Sequence, residues 1–292
     1  MNDDFCVQID YEKNSENPER VFTAMAQIIQ SLQELDKDLI GVLDAGIKPL
    51  VLLENIETGS IKTWLKHQIE STDDQAIREL NWKELVGAYL VRAKYLIIKF
   101  LEPKSQITSH EEIKELQNML LIEAENTKVK RFPFYRPIPP ERLIGNINNI
   151  QNAISPLTKN DKAIYLTKDE KASFNIGLSI SPEMIEEILT KESIENKSIM
   201  ILKVKKPDYL GESKWDFIHA NKSFSAKIVD VRWLSDFQNR SVTVKPGDSL
   251  RAEVQIIVKY GYDNNVVGVQ HNILKVIKVL SIEDNTQTNM FP

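Results

Sequence analysis

Helical periodicity ends and strand periodicity begins across the segment Arg131-Phe132-Pro133-Phe134-Tyr135-Arg136-Pro137-Ile138-Pro139-Pro140. Pro133, Pro137, Pro139 and Pro140 cannot continue a helix interior, because each lacks an N–H and clashes with the preceding turn. A chain interrupted this way has to build two structural units. Phe132, Phe134 and Tyr135 alternate with the prolines. They predict an extended segment lying on the first unit, followed by a short helix from Pro140 to about Ala153. The expected divisions are an N-terminal α+β domain over 1–131, a Pro-rich connector with a short helix over 132–162, a C-terminal β domain over 163–284 and a disordered tail over 285–292. The fold class is α+β: a strand, helix, hairpin and helices, then a small antiparallel β barrel or sandwich.

In the first part, Phe5 to Tyr11 alternates apolar and polar residues, as a strand does. Asn17-Pro18 supplies an N-cap and a first-turn proline. Val21, Phe22, Met25, Ile28, Ile29, Leu32 and Leu35 then recur as one helical stripe. Leu50 to Ile56 and Ile61 to Ile69, with Thr58-Gly59-Ser60 between them, predict a β-hairpin. A helix is expected over Trp82–Leu101. Another starts at Ser109-His110-Glu111-Glu112, a capping-box pattern, and runs to about Asn126.

In the second part, Leu250, Ala252, Val254, Ile256, Val258 and Tyr260 alternate with Arg251, Glu253, Gln255 and Lys259. That predicts a half-buried strand with one wet face. Further strands are expected at Ala172–Ser179, Ser198–Lys206, Trp215–Ile218, Phe224–Trp233, Ser241–Val244 and Asn272–Ile282. A short helix is expected over Glu183–Thr190. Trp215, Phe217, Phe224 and Trp233 are the expected core aromatics.

Composition narrows the function classes. Residues 1–131 hold 16 Lys+Arg against 23 Asp+Glu, so a broad phosphate-binding face there is disfavoured. The remainder holds 21 against 19, which allows a nucleic-acid ligand without implying one. A single cysteine, Cys6, cannot form an intramolecular disulfide or a cysteine-based zinc site. It is expected to be a buried structural thiol, and the chain is expected to be cytoplasmic. The most apolar window, Leu85–Leu101, carries Arg92, Lys94 and Lys99. Three cations would cost about 8 kcal/mol in a bilayer, so this stretch reads as a core helix with snorkelling cations.

Chemical motifs are scarce. His67, His110, His219 and His271 show no metal-ligand spacing. No phosphate-cradling glycine loop and no nucleophile elbow is present. Pro207-Asp208 with Glu212-Ser213-Lys214 imitates a nuclease signature, but three intervening residues leave no room for the strand pair that chemistry needs. No catalytic residue, cofactor or metal site is expected.

The order of Phe5–Tyr11, the amphipathic helix, Leu50–Ile56 and Gly59-Ser60, then Trp215-Asp216-Phe217, Phe224–Trp233, Gly247-Asp248-Ser249-Leu250 and Asn272–Leu280, resembles uncharacterised bacterial and prophage-borne two-domain proteins. Some of these occur near mobile elements or phage-defence genes. The resemblance implies a bacterial accessory role and carries over no functional residue.

The expected function is therefore non-catalytic binding of a protein partner, a ligand or a second copy, through the C-terminal β domain. Candidate partner-binding residues are Tyr260 and Tyr262 near a hairpin tip, with Arg251 and Lys259 on the wet strand face. Two alternatives stand beside it: an enzyme site built from dispersed acidic residues of the N-terminal domain, and nucleic-acid binding by the β domain.

Overall fold

A computed structural model describes residues 4–12, 16–41, 47–57, 61–71, 82–129 and 135–281. The chain forms two compact units, residues 1–188 and 189–292. Both helices and strands are well represented, so the class is α+β.

The first unit holds β1 (Asp4–Asp10), α1 (Glu19–Gly41), β2 (Ile47–Glu57), β3 (Ile61–Ser71), α2 (Trp82–Leu101), α3 (His110–Asn126), α4 (Pro140–Ile154), β4 (Lys162–Leu166) and β5 (Lys171–Ser173). Its sheet has the order β2-β3-β1-β4-β5, antiparallel throughout. Phe5, Val7 and Ile9 are buried, and Phe5 and Val7 pair directly with Leu65 and Thr63, which are buried too. The α1 stripe is buried at Val21, Met25, Ile28, Leu32 and Leu35, whereas Phe22 points outward and is exposed. Ser109 caps α3 by accepting from the Glu112 N–H. Glu112 completes the box one residue early, its carboxylate accepting from the Thr108 N–H at 2.8 Å.

The division between the units falls later than the proline segment suggests. Residues from 163 onward are expected in the β domain, yet β4 pairs with β1, and Ala163 and Tyr165 are fully buried in the first unit. The next residues are tied to the same unit: the Ser179 N–H donates to Ser105 O and the Asn175 amide donates to Leu101 O. Of the expected strand Ala172–Ser179, only the first residues are strand. Tyr135–Pro139 has no regular secondary structure, Pro139 is extended, and α4 follows as expected. Residues 130–134, the hairpin turn at 58–60 and the tail from 282 lie outside the described residues.

A short helix, α5 (Pro182–Leu189), leads into the second unit, whose elements are β6 (Thr190–Lys206), β7 (Trp215–His219), β8 (Lys222–Ile228), α6 (Val231–Gln238), β9 (Ser249–Gly261) and β10 (Val266–Leu280). Five strands close a barrel in the order β10-β8-β7-β6-β9. The barrel is not wholly antiparallel, since β10 runs parallel to β8. A five-stranded barrel with this connectivity and a helix between its third and fourth strands has the topology of an OB-type barrel.

Trp215 sits in the barrel core, with the Phe237 ring edge-on at 4.8 Å and Phe217, Leu202, Leu250 and Val254 buried around it. The expected strand Phe224–Trp233 ends at Ile228. Asp230 then starts α6: its Oδ1 accepts from the Trp233 N–H and its Oδ2 from the Val276 N–H, both at 3.1 Å. Ser241–Val244 forms no strand, because the Ser241 and Val242 N–H groups donate to Asp236 O at the end of that helix.

Candidate functional site

Strand alternation and register give the sheet β6-β9-β10 two faces. The inner face carries Leu202, Leu250, Ala252, Val254 and Ile273, all fully buried in the barrel. These strands are longer than the barrel needs. β7 pairs with β6 only from Lys203 onward, and β8 pairs with β10 only at His271–Ile273. Beyond those points the three strands continue as an extension, and the apolar inner face continues with them. Ile194 faces Val258, Val258 faces Val269 and Tyr260 faces Val266. Ile194 is 56%, Val266 55% and Val269 51% exposed. On β6 this face also carries Ser198, Asn196 and Glu192, so its apolar side chains lie mainly on β9 and β10, with Ile194 joining them from β6. Phe224 and His271, with ring centroids 4.3 Å apart, stand where that face meets the barrel interior.

The outer face is mixed: Ile199 and Ile201 are exposed on it, with Ile257 beside Glu195, among polar and charged side chains. Gln255 donates to Glu195 at 2.8 Å, Asn272 donates to Gln255 at 3.0 Å and Gln270 donates to Asn272 at 3.2 Å, a ladder across all three strands. Register adds Lys203, Lys227, Arg251, Lys259, Lys275 and Lys278 to the same face, against Glu195, Glu253 and Asp216. No aromatic residue lies on it among the described strands; Trp215, Phe217 and Phe224 all face inward.

The four residues expected to bind a partner therefore do not form one surface. Arg251 and Lys259 share the outer face, but eight residues separate them, about 27 Å along a strand. Tyr260 belongs to the inner, apolar face. Tyr262 stands partly exposed in the turn after β9. Alternation alone puts Lys259 and Tyr260 on opposite sides.

The nuclease-like signature resolves into a loop device. Asp208 accepts from the N–H groups of Leu210, Gly211 and Ser213 and from the Ser213 hydroxyl. The Ser213 hydroxyl and those amides hold its carboxyl down at about 2. Gln238 pins the loop from α6 by donating to Gly211 O at 2.8 Å. The loop tip is Leu210, 96% exposed. Among the described residues, no group of three or more His, Cys, Asp or Glu side chains could hold a metal ion.

The first unit contains an ionic cluster that the sequence did not disclose. Asp36 on α1, His67 on β3 and Lys94 on α2 converge with no side-chain exposure at Asp36 or Lys94. Lys94 Nζ lies 2.7 Å from His67 Nε2, which lies 2.9 Å from Asp36 Oδ2. A single ring nitrogen donates to the carboxylate or accepts from the ammonium, one at a time. Burial raises the Asp36 pKa, but Lys94 and His67 override it and hold the group below its ordinary value. Burial lowers Lys94, with Asp36 partly offsetting it. Phe5 covers the ammonium at 4.5 Å. Of the three cations in the window Leu85–Leu101, Arg92 reaches Glu123 and the partly exposed Glu170, and Lys99 reaches Glu102. Lys94 does not snorkel. Cys6 is buried in β1.

One cavity of about 350 Å³ opens between α1 and α4, lined by Glu34, Lys37, Asp38, Arg142, Asn146 and Asn149. Its polar groups bond one another: Asn146 and Arg142 donate to Asp38, and Asn149 donates to Glu34. No described helix is long and apolar enough to cross a membrane. No family model, curated protein or solved structure matches the chain.

Proposed function

We propose that this chain is a non-catalytic binding protein whose C-terminal barrel docks a protein partner through the inner face of the β6-β9-β10 extension. The observation that carries this reading is the continuation of the barrel's apolar face past the barrel, at Ile194, Val258, Val266 and Val269. A contiguous exposed apolar patch on a folded domain marks an interaction site more often than an idle surface. Tyr260 lies in this patch and suits an interface anchor. The accessory role in a bacterial mobile-element or phage-defence setting rests on the sequence resemblance. A photo-crosslinking residue at Val269, with Ile194→Lys as the disrupting variant, tests the docking face. The expected result is a discrete cross-linked partner that the variant loses while its barrel still melts cooperatively.

The outer face favours a second reading, nucleic-acid binding. Its cations outnumber its carboxylates, and the OB-type topology is compatible with oligonucleotides. Against it stands the lack of outward aromatic residues on which bases could stack. Fluorescence anisotropy with single-stranded and duplex oligonucleotides separates the two. Binding that weakens steeply with salt and survives Ile194→Lys would favour this reading over the docking face.

A further inference from the structure

The long edge of β6 carries an inference independent of the docking face. β6 pairs with β9 along almost its whole length, from Thr190 to Lys203. Its opposite edge meets β7 only from Lys203. Just before that point the edge is closed off by His219, whose Nδ1 lies 3.0 Å from Ile201 O. No described strand pairs with this edge from Glu192 to Met200. That is an edge about 30 Å long, without proline and with its side chains largely exposed. Such edges are templates for strand pairing, and proteins normally blunt them.

We infer that two copies of this chain pair antiparallel through the outer edge of β6, about a two-fold axis at Asn196. The open run Glu192–Met200 is itself centred on Asn196. In that register Glu195 faces Lys197 of the second copy, and Lys197 faces Glu195, both pairs on the outer face. Moving the axis by one residue destroys the match. Centring on Glu195 sets two glutamates opposite each other, and centring on Lys197 sets two lysines opposite. Like charges directly across a ladder are destabilising. An axis at Ser193 would match Lys191 with Glu195, but that ladder ends after seven residues because α5 ends at Leu189 and β6 starts only at Thr190. The edge is therefore self-complementary in one extended register. Pairing joins the two three-stranded extensions into one six-stranded sheet, β10-β9-β6 continuing into β6-β9-β10 of the second copy. A symmetric contact of this kind closes and does not propagate into fibres.

Sedimentation velocity on the full chain over a concentration series tests the stoichiometry. The expected result is a monomer–dimer equilibrium. Glu195→Lys or Lys197→Glu alone should raise the dissociation constant at least about tenfold. The double variant, which restores unlike pairs, should return it to within about threefold of the parent. Both side chains are exposed, and thermal melts confirm that each variant keeps its fold. Facing Cβ atoms in a ladder lie about 5 Å apart, within reach of a disulfide after small adjustment. Mild oxidation should therefore link Asn196→Cys into a dimer but leave Ile194→Cys and the parent, whose only cysteine is buried, unlinked. A monomer at all concentrations, a double swap that fails to restore association, or a dimer that Asn196→Cys does not cross-link would each overturn the inference.

Discussion

Lys94 Nζ lies 2.5 Å from Oδ1 and 2.7 Å from Oδ2 of Asp36, and neither side chain reaches solvent. The two residues come from different helices, so the contact ties α1 to α2 beneath His67 of β3. Desolvating two charges offsets much of their attraction. Removing one partner leaves the other charge buried and unmatched. Lys94→Met should therefore destabilise the first unit by about 3–5 kcal/mol. The double variant Asp36→Leu with Lys94→Met should lose clearly less than the two single variants together. Urea unfolding of the three variants measures this, and additive losses would show that the pair is not coupled.

Acid should loosen the same unit through a second carboxylate. Asp161 accepts from Arg20, Thr158 and the Glu12 N–H. Burial acts to raise its pKa, but these donors outweigh it and hold it at about 2. Its folded pKa lies below the unfolded value of 3.8, so the stabilisation is fully present above about pH 4. It is lost as pH falls toward 2. A shift of this size corresponds to about 2 kcal/mol. Asp161→Asn should be less stable at pH 7 and should show a shallower loss of stability between pH 4 and 2. Equal acid slopes in parent and variant would contradict the assignment.

In the barrel, alternation along β9 makes neighbouring positions unequal. Val254 is fully buried, whereas Glu253 lies on the outer face opposite Lys275. Val254→Asp buries an uncompensated carboxylate and should cost several kcal/mol. Glu253→Ala should change stability by about 0.5 kcal/mol or less. Thermal melts of the two variants compare them directly.

The Asp208 loop offers a local test. Asp208→Ala removes the acceptor shared by three backbone amides while touching no core residue. Amide hydrogen exchange at Leu210, Gly211 and Ser213 should accelerate at least about tenfold, with the melting of the barrel little changed. Unaltered exchange at these amides would mean that the loop is held by Gln238 alone.

Much of the first unit was legible because its signals are local. The capping pattern at Ser109, the hairpin around β2 and β3, and the extent of α2 follow from turn chemistry and periodicity that act over a few residues. The ionic cluster was not legible. Asp36, His67 and Lys94 each sit singly on a separate element, and only the tertiary fold brings them together. The boundary falls later for a related reason: residues 163–173 follow the proline segment in sequence, and only the pairing of β4 with β1 assigns them to the first unit. In the second unit the patterned strand β9 was plain, but the first half of β6 was not. Both of its faces are exposed, so Thr190–Lys197 has no apolar alternation to read, with Ile194 the only aliphatic residue in it. The candidate docking face inherits that blindness, since it depends on how far the strands run past the barrel.

The parallel contact between β8 and β10 spans three residue pairs, Ala226–Ile228 with His271–Ile273. It is the seam that closes the barrel, and its two sides are separated by α6 and all of β9. During synthesis the earlier strands emerge with that seam open, and β8 has no partner on one side until β10 has left the ribosome. Closure waits on a contact distant along the chain, which carries a large loop entropy. Without that contact, the strand order leaves one edge of β8 unpaired. A ribosome stalled before His271 would hold a chain that proteases and chaperones can still recognise as unfinished.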